Sequence, residues 1–383
     1  MLAMGLWLLA GPSVHGQQAV SATFGDVIQV PGGTPSDIEL DEQRHQIYLV
    51  SNTTSQVLVF NYTSNQVVAK IPVGRTPLAG AMSMDGNFLY VTASGPPSAL
   101  FAIDLTQNRV AYTQTLASTP QGVEVGIDGR VLVAMAGTGV TSGIPQKTLQ
   151  VFDPVARTLT DVAVPALTTT LAPLPAQATG RPTTTFPGKL LRTPDGSFIV
   201  GVITPTAGST YVFVYEVASG VILRNRTTAG QSTVISMAPD GSRFMAGFTM
   251  YDTATLAVVA QQNNANAPFT FTSAVNTTQN VGGSIFSTDG ATLYSAFNTA
   301  ATTNPPSPSL SSTLLVNDAA NLGIRLGINL PESVVAKIVM TADGANAWGL
   351  SDSGMIHLPL GNLYQYPILM PETTQVFLSL IHI

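Results

Sequence analysis

The sequence predicts an all-β chain folded as a seven-bladed β-propeller of four-stranded antiparallel blades, closed by a strand from near the N-terminus. Three observations carry that expectation. A turn motif recurs at near-regular spacing, each copy is flanked by two apolar hairpins, and one strand-like segment near the start lacks local partners.

The turn comes first. Six Asp-Gly pairs begin at Asp85, Asp128, Asp195, Asp240, Asp289 and Asp343, each between two short apolar runs. Asp-Gly supplies the positive φ angles that tight hairpins demand. A seventh unit, SDIELDEQRHQIYLVS, has Gln43-Arg44 in its place. Alignment on the turn puts Tyr48, Tyr90, Val133, Val200, Met245, Tyr294 and Trp348 at one position, all bulky and apolar or aromatic. They are expected to be buried between neighbouring sheets.

A second hairpin follows each first one, for example QVLVFNYTSNQVVAKIPV and ALFAIDLTQNRVAYTQTL; the fifth, MAGFTMYDTATLAVVAQ, is the least regular. Two hairpins give a four-stranded sheet. Turn-to-turn spacings of 42, 43, 67, 45, 49 and 54 residues fit such a repeat, with insertions in the longer ones. Residues 165–187 and 298–312, rich in Thr, Pro, Ala and Ser, are expected to be mobile surface loops that pack no core. The segment GDVIQVPGGTP (25–35) resembles VVAKIPVGRTP (67–77), the fourth strand of a repeat, but has no earlier partners. It is expected to complete the last sheet, beside the strands around Ile338, Trp348 and Ile356, so that the ring has no open edge.

Residues 1–16 read as a signal peptide, with the apolar run LAMGLWLL and a small-residue cleavage site near Gly16, although no Lys or Arg precedes the run. That run is too short to span a bilayer. The propeller is assigned to residues 17–362, and 363–383 to a linker and the truncated start of a further domain. The chain is expected to be secreted, periplasmic or on the cell surface.

Composition narrows the function. Charged residues are only 9% of the chain, the net charge is −6, and no basic run occurs, which disfavours nucleic acid and anionic membrane as partners. With no Cys there is no disulfide or thiolate site. The four His (His15, His45, His357 and His382) are scattered, so no metal site is assigned. No nucleophile elbow, P-loop or EF-hand loop occurs. Ala136-Gly137-Thr138-Gly139 and the sequons at Asn52, Asn61, Asn225 and Asn276 read as turns.

One constellation stands out. The strand before each turn should be innermost, and several of the few charges fall in it: Asp37, Lys189 and Lys337 at one level, Glu39 and Glu124 two residues on. These five are candidate ligand-binding residues at the mouth of the central channel; the alternative is that they are salt-bridged or solvated structural charges.

The phrases QIYLVSN, VVAKIPVGRTP and SMDGNFLYVTA resemble the YVTN family of bacterial β-propeller repeats, with Ala93 where the signature after Tyr90-Val91-Thr92 has Asn. The match is good over residues 25–135 and recognisable to about 360. The resemblance implies a propeller on a bacterial or archaeal surface or in the secreted fraction, and related repeats occur in lactonase-like and quinoprotein-like propellers. YQYPILMPETTQVFL looks like a linker to a further surface domain. The leading expectation is a non-enzymatic binding module, monomeric and without cofactor, for an unknown protein, glycan or small molecule. Alternatives are a lactonase-like hydrolase, with Asp37, Glu39 and Glu124 as its candidate carboxylates, and a redox-cofactor propeller, which the single Trp of the mature chain and the missing Cys argue against.

Overall fold

A computed structural model describes residues 23–174, 186–262, 281–298 and 312–365. The signal-peptide expectation for 1–16, most of the insertion at 298–312, and the segment after 365 lie outside them.

Seven four-stranded antiparallel sheets are arranged in a ring. Blade 1 comprises Asp37–Asp41, Gln46–Ser51, Gln56–Asn61 and Gln66–Pro72. Blade 2 comprises Pro77–Met82, Phe88–Ala93, Ala99–Asp104 and Arg109–Thr115. Blade 3 comprises Pro120–Val125, Val131–Met135, Leu149–Asp153 and Thr158–Asp161. Blade 4 comprises Gly188–Arg192, Phe198–Ile203, Ser209–Glu216 and Val221–Ala229. Blade 5 comprises Ile235–Met237, Arg243–Ala246, Thr249–Asp252 and Val258–Gln261. Blade 6 comprises Val281–Phe286, Thr292–Asn298, Ser312–Asp318 and Ile324–Leu330. Blade 7 takes Val334–Met340, Ala347–Ser351 and Gly354–Leu358, and its fourth strand is Asp26–Gln29. The first strands touch one another in succession from blade 1 to blade 7 and back, so they line the common axis.

Closure is antiparallel, with Asp26 opposite His357 and Gln29 opposite Gly354. Phe24, just before the closing strand, is wholly buried among Leu330, Ile356 and Leu358, and its N–H donates to Asn329 O of blade 6 (2.8 Å). The 3₁₀ turn Leu360–Gln365 buries Leu360 and Leu363 in the same cluster.

Cohesion comes from apolar layers between blades. Tyr90, Val123, Val133 and Phe152 join blades 2 and 3; Val200, Val214, Phe244 and Tyr251 join blades 4 and 5. Of the seven aligned residues, six are buried and Tyr294 is partly buried. Their equivalence fails at one blade. In blade 3 Gly126 pairs with Arg130, whereas in blade 2 Ser83 pairs with Phe88, so the blade 3 turn is one residue shorter. A one-residue change of register exchanges faces. Leu132 therefore faces blade 4, as Tyr90 faces blade 3, and Val133 points back towards blade 2.

The turn chemistry also differs from the expectation. Glycine alone carries positive φ, from 67° at Gly86 to 77° at Gly129; the Asp does not. The Asp carboxylate instead accepts hydrogen bonds, as when Asp195 Oδ1 takes one from Ser197 N–H (3.1 Å) and one from Thr193 Oγ1 (2.6 Å). Ser83, Ser287 and Thr341 occupy the position of Thr193 in their blades and bond their Asp in the same way.

Part of the first insertion is packed. Leu167 and Leu171 are buried against Leu190, Ile203 and Tyr211, and Tyr211 Oη donates to Pro165 O (2.6 Å). Phe186 is buried between blades 2 and 3. Two spaced leucines suffice to anchor a loop whose composition is otherwise polar and Pro-rich. Ala136-Gly137-Thr138-Gly139 leads into a small exposed hairpin, Gly139–Thr141 with Ile144–Gln146. Asn52 sits in a turn as expected; Asn61 ends the third strand of blade 1 and its Oδ1 accepts from Ser64 N–H of the turn that follows, Asn225 lies in the outer strand of blade 4, and Asn276 lies outside the described residues.

Candidate functional site

Asp37 opens the first strand of blade 1 with its side chain 4% exposed. Its Oδ2 accepts from Gly80 N–H of blade 2 (3.0 Å) and its Oδ1 from Ile38 N–H (2.9 Å). Lys337 of blade 7 lies 3.3 Å from Asp37 Oδ1 and also bonds Glu39 Oε1. The bulge between Val335 and Ile338, with Ala336 at φ 62°, lifts Lys337 out of the ladder towards the axis. Lys189 of blade 4 completes the group from across the channel, 3.8 Å from Asp37 Oδ2, with its ammonium 4.2 Å from the Phe186 ring centroid.

Glu124 belongs to a second group. It pairs with Arg192 Nη1 (3.0 Å) and accepts from Arg192 N–H (3.2 Å) and Val125 N–H (2.9 Å). Arg192 also reaches Met82 O of blade 2. Arg192 escaped the sequence reading, yet it left a mark there: three residues before the turn Asp, other blades have Met82, Val125, Met237, Phe286 and Met340. A charge in that apolar column is the anomaly.

Asp37, Glu39, Lys189 and Lys337 are thus joined directly, and Glu124 and Arg192 lie alongside. Of these, Asp37, Glu124, Lys189 and Lys337 line a cavity of about 40 Å³, together with Gly80, Gly122, Thr233 and Ala336, while Glu39 and Arg192 reach it through Lys337 and Glu124. Gly122 allows the close approach of blades 3 and 4, since a Cβ there would stand 2.9 Å from Gly188 O. Three carboxylates face three cations, so the fully ionised cluster is neutral.

Burial divides the carboxylates. Asp37 is desolvated, but Lys189, Lys337 and two backbone N–H groups outweigh that and hold its carboxyl below the ordinary range. For Glu39 desolvation prevails over Lys337, aided by the negative charge of Asp37, and its carboxyl is pushed up to about 7. Desolvation lowers Lys189, against the attraction of Asp37. Lys337 is raised: desolvation is its largest single influence, but Asp37, Glu39 and a hydrogen bond to Glu39 together exceed it.

The two described histidines lie elsewhere. His45 Nδ1 bonds Tyr62 Oη (3.0 Å), and His357 stacks on Trp348 with its Nε2 2.8 Å from Asn346 Oδ1. Burial lowers His357, opposed by Asp26. Among the described residues no three His, Asp or Glu side chains are grouped to hold a metal ion. Two wider grooves lie away from the axis. One, of about 430 Å³, is bounded by Phe198, Arg224, Pro239 and Thr253 of blades 4 and 5; the other, of about 680 Å³, by Leu116, Lys147, Gln150 and Asp161 of blades 2 and 3.

No family model matches the chain. Over 116 residues, 27% of the chain, it is 28% identical to Antigen Lp49 of Leptospira interrogans. The chain spans only 25% of the length of that relative. Among solved structures it is similar to Kuenenia stuttgartiensis hydrazine synthase, with a TM-score of 0.62 and 15% identity over 91% of this chain and 99% of that one. At that identity the likeness concerns the fold, a seven-bladed propeller. Among the described residues no helix is long and apolar enough to cross a membrane.

Proposed function

We propose that the chain is a secreted or cell-surface, non-enzymatic binding propeller of the YVTN type. Residues 1–16 serve as its export signal, 17–362 as the ring, and 363–383 lead into a further domain. Asp37, Glu39, Glu124, Lys189 and Lys337 form a polar ligand site in the channel, and larger partners engage the rim.

The observation that carries this reading is the charge-balanced cluster across the axis. Its cavity of about 40 Å³ holds only a few water-sized groups, whereas small-molecule sites enclose roughly 300–1,000 Å³. A lactone ring would have to displace the Lys189–Asp37 and Lys337–Glu39 pairs to enter. The partial similarity to a protein named as an antigen supports the surface assignment.

Two measurements test it. Protease shaving of intact cells carrying the full-length gene should release the propeller. Purified protein should leave a panel of lactones unhydrolysed; turnover lost in Glu39→Gln or Glu124→Gln would establish the hydrolase instead.

A further inference from the structure

We infer that the channel waist is a binding site for one small monovalent anion, halide- or acetate-sized, held between Lys189 and Lys337 and taken up together with a proton on Glu39. The inference rests on reading the waist as a ligand site and adds the ligand's chemistry.

The geometry of Lys189 is the starting point. Its side chain is 12% exposed and lines the cavity. An ammonium has three donors, yet among the described residues Lys189 Nζ has no protein hydrogen-bond acceptor. Its partners are Asp37 Oδ2 at 3.8 Å and the face of Phe186. Asp37 Oδ2 stands beyond hydrogen-bond distance of Lys189 and accepts from Gly80 N–H, while Oδ1 serves Ile38 N–H and Lys337. A desolvated cation without acceptors favours an anionic neighbour. The cavity runs from Lys189 to Lys337 and includes Thr233, a hydroxyl-bearing residue, in its wall.

Charge sets the valence. The cluster holds Asp37 and Glu39 from blade 1, Glu124 from blade 3, Lys189 and Arg192 from blade 4, and Lys337 from blade 7. The inner strands of blades 2, 5 and 6, PLAGAM, ISM and VGGSIF, bring no charge. Protonation of Glu39 leaves two carboxylates against three cations, an excess of one positive charge that a monovalent anion cancels. Burial pushes the Glu39 carboxyl up to about 7, so that excess belongs to a mildly acidic medium. Size excludes bulkier anions: about 40 Å³ suits chloride, bromide or acetate but not gluconate.

The test replaces sodium gluconate with sodium chloride at constant ionic strength and follows the urea midpoint by Trp348 fluorescence at pH 5.5 and 8.5. The midpoint should rise saturably with chloride at pH 5.5, and the apparent affinity should fall about ten-fold or more at pH 8.5. Glu39→Gln should keep the affinity at both pH values, and Lys189→Met should abolish the response. Crystals grown in sodium bromide at acidic pH should show an anomalous peak between Lys189 and Lys337, which checks the site in the unaltered protein. A response that persists in Lys189→Met, or a peak elsewhere, means an adventitious ion only and overturns the inference. Formamide serves as a neutral probe: a saturable formamide response without a chloride response rejects the anion but leaves the waist a ligand site. Response to neither rejects both.

Discussion

Phe24→Ala probes the closure of the ring at one side chain. Phe24 is wholly buried between blades 6 and 7, where it touches the layer formed by Leu330, Ile356, Leu358 and Leu363. Truncation removes the transfer free energy of the ring and leaves a cavity that the flanking strands fill only in part. Such changes cost about 3–5 kcal/mol. The closing strand has only four residues, Asp26–Gln29, and its pattern is mostly exposed, so little else fixes its N-terminal end. Trp348 is a suitable reporter. It lies in the strand Ala347–Ser351, which pairs with Gly354–Leu358, the partner of the closing strand. Urea unfolding followed by Trp348 emission should show the loss with an unchanged slope. A loss below about 1 kcal/mol, with native emission retained, would mean that the segment before Asp26 does not seal the ring, and the reasoning would fail.

Glu39 should make stability pH-dependent. Its folded value of about 7 lies above the ordinary 4.5, so the folded chain binds a proton there that the unfolded chain releases. This group's contribution therefore declines as pH rises through that window, by up to about 3 kcal/mol. Urea unfolding of Glu39→Gln and the parent at pH 5 and 8 should show the variant gaining relative stability at pH 8; equal differences at both pH values would contradict this. Asp37, held low, acts in the opposite sense, with stabilisation present above its ordinary value and lost in stronger acid. Gly201→Ala should destabilise blade 4 by about 1–3 kcal/mol, because a Cβ would stand 2.0 Å from Phe213 Cζ. Thermal unfolding should show the cost shrinking in a Phe213→Leu background, and an undiminished cost would point to the backbone instead.

The ring was legible because its repeat is written in local chemistry. Asp-Gly marks six of the seven turns, alternation marks the hairpins, and the unpartnered segment at 25–35 needed a sheet to join. Equivalence of side chains was less secure, since one residue missing after Gly129 turned Val133 and Leu132 to opposite faces. Anchoring of the first insertion depended on Leu167 and Leu171, two residues in a segment dominated by Thr, Pro and Ala. At the axis, alternation placed Asp37, Lys189 and Lys337 at one level but could not say which charges meet. That depends on reach across the channel and on the bulge that carries Lys337. Arg192 stands in a column that is otherwise apolar, so the alternation that marks the charged columns does not point to it.

The contact between Asp37 and Lys189 joins residues from blades 1 and 4 that share no sheet and lie on opposite sides of the axis. A double-mutant cycle with Asp37→Asn and Lys189→Met, read by urea unfolding at pH 7, measures that contact without reference to a ligand. The structure requires a coupling energy of about 1 kcal/mol or more. Additive effects, within about 0.3 kcal/mol, would contradict a waist in which opposing blades share one charge cluster.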